Sequence, residues 1–187
     1  MKQVISSLKI CWDVHDNWTE LLAGTRLVLD LMSEERRDNI DRTNLLRLTL
    51  VSASQMTEVM FFKQLNNCAE KHSQPVKSLL AYDLEKRISF NDARKKWPEI
   101  LTGKAFDLGA EPFQSMTKLS ALRNEAVHHS AKCPKSDLGE SALYTSIESS
   151  RAIYEHFNPD GWKSSQYRKF VKKYNAKSST LLRKIEN

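Results

Sequence analysis

The chain is expected to be all-α, an antiparallel up-and-down helical bundle with additional helical segments at its N- and C-terminal ends. Five Gly and five Pro in 187 residues leave little turn material for a many-stranded sheet. Apolar residues return at i, i+3 and i+4 along most of the chain, which is the helical period. Hydrophobic residues at 40% beside charged residues at 28% fit one ordinary globular domain of this length.

Asn17 is placed to cap the first helix, with Glu20 reaching back in a capping box. The apolar face of that helix is Trp18, Leu21, Leu22, Val28, Leu29 and Met32. The charged run at 34–38 then reads as an exposed helix end or loop. A second helix, starting near Asp41 or Thr43 and running toward His72, has apolar residues on several faces, so it is the central core helix. Arg47, Ser54 and Glu58 fall on one stripe of it, and such a stripe ordinarily faces water. Glu58 is kept as a secondary site candidate because large apolar residues surround it.

Pro75 suits the first turn of a helix over residues 76–87 that buries Leu79, Leu80 and Leu84. Ser89 can cap a short helix over 90–97, with Asp92 favouring its positive end and Pro98 following. Residues 102–110 are the clearest loop. Glu111-Pro112 opens a helix in which Met116, Leu119, Leu122 and Ala126 keep register to about Ser130. Pro134 biases Cys133 away from helix and makes 132–136 a loop. The closing helix, over 141–157, packs through Leu143, Ile147, Ile153 or Tyr154, and Phe157.

Pro159-Asp160-Gly161 is a turn and a boundary. Residues 1–158 are therefore assigned to the bundle domain, and 159–187 to a basic helical extension packed on the same domain. From Trp162 to Asn187 it carries Lys163, Arg168, Lys169, Lys172, Lys173, Lys177, Arg183 and Lys184 against one acid, Glu186. Tyr167, Phe170, Val171 and Tyr174 share a face that reads as its packing side, with the lysines wet. Contact with nucleic acid is compatible with that arrangement.

The three cysteines, Cys11, Cys68 and Cys133, are scattered and form no CxxC pair, which argues against a disulfide scaffold or a cysteine-rich zinc site. Ser6, Ser7 and Lys9 interrupt the N-terminus before a signal-peptide core forms, and no apolar run is long enough to span a membrane. A cytoplasmic protein is expected. The net charge of +6 permits a polyanionic partner.

The chemistry-bearing stretch is Leu122-Arg123-Asn124-Glu125-Ala126-Val127-His128-His129. Asn124 and His128 are i and i+4 on a helix and share a face, and the long side chain of Arg123 reaches toward the same place. His129 pairs by spacing with Glu125. The nearby helix end favours a protonated imidazole. A histidine that moves a proton, with a guanidinium that holds phosphate oxygens, suits attack of an RNA 2′-hydroxyl on the adjacent phosphorus and needs no metal. Arginine followed by histidine at this spacing arises about once by chance in such a chain, as Arg151 and His156 illustrate; requiring Asn directly after Arg lowers that to roughly 0.05. A metal site from His128, His129 and Cys133 is disfavoured because adjacent helical residues diverge by about 100°.

Leu-Arg-Asn followed by His, between a core helix and a closing helix, resembles the HEPN superfamily of helical bundles, many of them metal-independent RNases of toxin–antitoxin, phage-defence and RNA-processing systems. The likeness covers about residues 41–157. It implies that Arg123 binds the scissile phosphate, Asn124 helps orient it and His128 is the general acid or base, with no cofactor. It also implies RNA as substrate, a homodimer with a composite active site, and an antitoxin or defence-system partner. His129 also satisfies the loose spacing and stays a secondary candidate. Ser130 stands where some such toxins carry a tyrosine modified by a partner enzyme. The alternative expectation is an inactive RNA- or partner-binding module, or a helical adaptor.

Overall fold

The computed structural model describes residues 17–35, 37–128, 137–162 and 165–185. These form seven helices: α1 (Asn17–Met32), α2 (Asn39–Ala69), α3 (Gln74–Glu85), α4 (Phe90–Thr102), α5 (Phe113–His128), α6 (Asp137–Phe157) and α7 (Ser165–Tyr174), followed by a single 3-10 turn at Leu182–Lys184. No strand occurs among the described residues, and none of their helices is long and apolar enough to cross a membrane.

Four helices make the bundle, and their directions follow from which residues meet. Trp18 Nε1 donates to Ser150 Oγ at 2.9 Å, and Thr25 lies against Met56, so α1 runs opposite to α2. Ser146 reaches Met56 and Asn158 donates to Gln64, so α2 and α6 run the same way and pack directly on each other. The Ser149 hydroxyl reaches the Pro112 carbonyl, which sets α5 antiparallel to α6. The result is an up-and-down bundle with α3 and α4 inserted between its second and third helices. Burial of Trp18, Leu22, Leu50, Met56, Met60, Phe61, Leu65, Met116, Leu119 and Ile153 supplies the core. Each such side chain removed from water contributes about 1.5–3 kcal/mol against the entropy of ordering the chain.

The helix limits have local causes. Asp38 accepts from the Asp41 amide and starts α2 a little earlier than its apolar pattern begins. Asn17 is itself the first helical residue of α1, and the residues before it lie outside the described part. Three expectations are corrected. Within α3 only Leu80 is fully buried; Leu79 is 43% exposed and Leu84 is half-buried, because α3 rests on the bundle along a narrow stripe. In α4 the helix runs through Pro98 to Thr102 instead of stopping before it. Pro98 and Trp97 are buried there, and packing outweighs the lost backbone donor. Gly103, at φ 73°, then ends the helix in the left-handed conformation that glycine adopts without strain. Finally, α6 begins at Asp137, a turn before Ser141.

The extension is bound to the bundle. Tyr167 sits edge-on to Trp18 at 5.4 Å and to Trp162 at 5.2 Å, docking α7 on α1. Beyond α7 the chain runs back over the ends of α5 and α6. The Leu182 amide donates to Thr145 Oγ1 at 3.0 Å, the Arg183 amide donates to Ser115 Oγ at 3.1 Å, and Lys118 Nζ donates to the Ile185 carbonyl at 2.8 Å. Leu182 is fully buried between these contacts.

Candidate active site

The fifth helix is held by Met116 and Leu119, which are fully buried, and by Leu122 and Ala126, which pack half-buried against the core. That leaves Asn124 and Val127 exposed on the outer side of its last turns, with Arg123 half-buried beside them. Arg123 Nη1 donates to Asn124 Oδ1 at 2.9 Å, so the guanidinium does swing toward the amide. Arg123 Nε is buried and has no hydrogen-bond partner. Because Nε is enclosed by protein, an oxygen acceptor from solvent would have to meet the guanidinium at its Nη groups.

Across the seam, α2 contributes Glu58 and Ser54. Glu58 is half-buried, and its burial pushes the carboxyl above the usual carboxylate range; the nearby Arg123 charge and the Ser54 hydroxyl oppose that shift without cancelling it. Ser54 lies near the carboxylate but its Oγ falls outside strict hydrogen-bond geometry. Ser120, one turn before Arg123 on α5, also has a buried hydroxyl with no partner. Ser54, Ser120 and Arg123 thus each bring an unsatisfied buried polar atom to the helices that meet here. The expected wet stripe of Arg47, Ser54 and Glu58 is corrected at Ser54, which is 1% exposed. Packing of α5 along α2 covers it.

The sequence reading placed Arg123 and Asn124 together, and they are. Glu58 joins them, although spacing alone gave no reason to pair residues 65 positions apart. His128 is the last residue of α5; its side chain, and the whole of His129, Ser130 and Cys133, lie outside the described residues. Ser120 was missed, and its signal was the one-turn offset from Arg123 and Asn124. Arg151 and His156, the second Arg–His spacing, do not form a site. Arg151 is exposed and paired with Glu155 at 3.0 Å, while His156 turns inward against Phe106 and bonds Thr102 Oγ1 at 3.0 Å.

Between α1 and α2 an open groove of about 630 Å³ runs beside this seam, with Glu20, Gln55, Glu58 and Phe62 among its walls. The part of α2 that neither α1 nor α5 covers includes Leu48, 54% exposed, and Val127 on α5 is 53% exposed. Among the described residues no three His, Cys, Asp or Glu side chains gather as a set of metal ligands.

No family model, curated protein or solved structure matches the chain.

Proposed function

We propose that the chain is a metal-independent endoribonuclease of toxin–antitoxin or phage-defence type, with Arg123, Asn124 and His128 as its reacting set. The observation that carries the reading is the Arg123–Asn124 pair, hydrogen-bonded at 2.9 Å, with a buried and unpartnered Arg123 Nε, on the helix that ends at His128. A guanidinium suits a phosphate oxygen, and it stabilises the charge that grows there as the reaction proceeds. In the proposed reaction the 2′-oxygen loses its proton and bonds to phosphorus. The bond from phosphorus to the 5′-oxygen breaks, and that oxygen takes up a proton. The products are a 2′,3′-cyclic phosphate and a free 5′-hydroxyl. His128 acts as the acid or the base, and a second protomer in a homodimer supplies the other proton-transfer group. An antitoxin or other defence protein would restrain the activity in the cell.

The test is cleavage of RNA by the purified protein in EDTA, with the ends of the products identified. Cyclic phosphate ends that disappear in Arg123→Ala and His128→Ala are expected, each substitution lowering the rate by at least about a hundredfold. Parent-like cleavage by both variants would overturn the assignment. A second reading, an RNA- or partner-binding module without chemistry, is favoured by Glu58, whose carboxylate competes with phosphate for Arg123. It predicts RNA binding by the same samples with no cleavage in any buffer.

A further inference from the structure

We propose that the outer face of α7, formed by Arg168, Lys169, Lys172 and Lys173, is a docking surface for the phosphate backbone of single-stranded RNA. All four side chains are exposed. Among the described residues none of them has an ion-pair partner, whereas Lys177, just beyond the helix, is paired with Asp30 at 3.2 Å. From Ser165 to Ile185 the sequence contains no Asp or Glu. The cations therefore have no carboxylate from their own segment to neutralise them. They form two neighbouring pairs one helical turn apart, about 5.4 Å along the axis, which gives a short continuous row of charge.

The other side of the helix decides what kind of polyanion fits. Tyr167 is 7% exposed and packs on Trp18, and Phe170 stacks on Tyr174 with ring centroids 5.9 Å apart. Phe170, Val171 and Tyr174 are all half-buried against the core and the Tyr174 ring is covered by Lys173 Nζ, 4.9 Å from its centroid, so the rings do not form a stacking platform for bases. The surface reads phosphate and tolerates any sequence. The same inward packing leaves α7 no apolar side to sink into a lipid interface, which disfavours a membrane as the occupant. The choice of RNA among polyanions rests on the ribonuclease reading, and that of a single strand on the freedom its 2′-oxygen needs to line up for attack.

The experiment uses the full chain carrying His128→Ala, so that the RNA stays intact, and follows binding of a short fluorescent single-stranded RNA as salt is raised. Four phosphate contacts at about 0.7 of a counterion each give a slope contribution near −2.8, or about a fiftyfold loss of affinity between roughly 50 and 200 mM salt. Replacing all four cations with Gln should remove that part of the slope and weaken binding at low salt at least tenfold. Exchanging Lys169, Lys172 and Lys173 for Arg should preserve both. Circular dichroism establishes that the variants are folded; if the quadruple one is not, Arg168→Gln/Lys169→Gln and Lys172→Gln/Lys173→Gln should each remove about half the effect. Unchanged affinity and slope overturn the proposal. So does α7-dependent binding to phosphatidylserine vesicles without binding to RNA. The two readings fail separately: α7-dependent RNA binding with no cleavage by the parent protein sinks only the ribonuclease, and cleavage indifferent to α7 sinks only the docking surface.

Discussion

Replacing Glu140 with Ala is expected to destabilise the protein by about 2–4 kcal/mol. Arg26 is 7% exposed, and its guanidinium grips the Glu140 carboxylate through two hydrogen bonds, Nη1 to Oε2 at 2.9 Å and Nη2 to Oε1 at 2.6 Å. Burial alone would lower the Arg26 pKa, yet the bond and charge of Glu140 outweigh it and the net shift is upward. Removing the carboxylate strands a buried cation, and breaking such a pair from one side typically costs about 3–5 kcal/mol. Asp30 offsets part of this, lying 3.1 Å from Arg26 Nη2, but it is half exposed and already shared with Lys177, so its share is at most about 1 kcal/mol. The Lys177 amide also loses its acceptor, Glu140 Oε2 at 2.8 Å, though exposed water replaces it there. Urea unfolding measures the loss. The double variant Arg26→Met/Glu140→Met should recover most of it, since hydrophobic groups in place of both charges leave none stranded. A loss under about 1 kcal/mol for Glu140→Ala, or additive effects in the double variant, would refute the claim that this pair is buried and coupled.

Other predictions test the core and the titrating groups. Leu182→Ala should cost about 2–4 kcal/mol in urea unfolding, because Leu182 is fully buried where the terminal segment crosses α5 and α6. Gly139→Ala would set a Cβ 2.7 Å from a Leu29 methyl and 3.2 Å from a Leu46 methyl; overpacking of about 1–3 kcal/mol, less about 1 for helix propensity, predicts a small net loss in thermal melts. Burial lowers the His156 pKa below its ordinary value, so the unfolded chain takes up the proton first and stability falls as pH drops from about 6.5 toward the folded value; His156→Gln should flatten that limb of a stability–pH curve. Burial raises Glu58, so its contribution has the opposite sign: stability is lost as pH rises from the ordinary carboxylate value through the raised one, and Glu58→Gln should remove this slope.

The helices were legible because most apolar positions answer to one period. Trp18, Leu22, Leu29 and Met32 mark α1 as plainly as any structure does. What spacing does not encode is how much of a stripe a neighbour covers. Leu79 and Leu80 look alike in the sequence, yet only one is buried, because α3 lies at the margin of the bundle. Pro98 is an ordinary helix stop until Trp97 and Leu101 are seen to need the same core. At the candidate site the local part was readable, since Arg123 and Asn124 are neighbours on one helix. The partner across the seam was not. Glu58 approaches Arg123 only because α5 lies along α2, a consequence of tertiary packing.

Buried polar atoms without a partner occur at Arg26, Arg37, Arg94 and Gln114 as well as at that seam. A buried polar atom with no partner costs about 1–3 kcal/mol, and Ser54, Ser120 and Arg123 each carry one. Three threonine hydroxyls of the same two helices are satisfied by backbone carbonyls: Thr49 bonds Leu45, Thr57 bonds Ser54, and Thr117 bonds Phe113. A random scatter of unmet groups would say nothing about function. Those at Ser54, Ser120 and Arg123 differ from the rest in lying on the two helices that bring a half-buried carboxylate and an arginine together, where a rearrangement on binding would offer them to an acceptor from outside. Under the proposed function that acceptor is the phosphate of the RNA. The cost borne in the free protein is then recovered in the complex, where the charge on the phosphorus oxygens is greatest during the reaction.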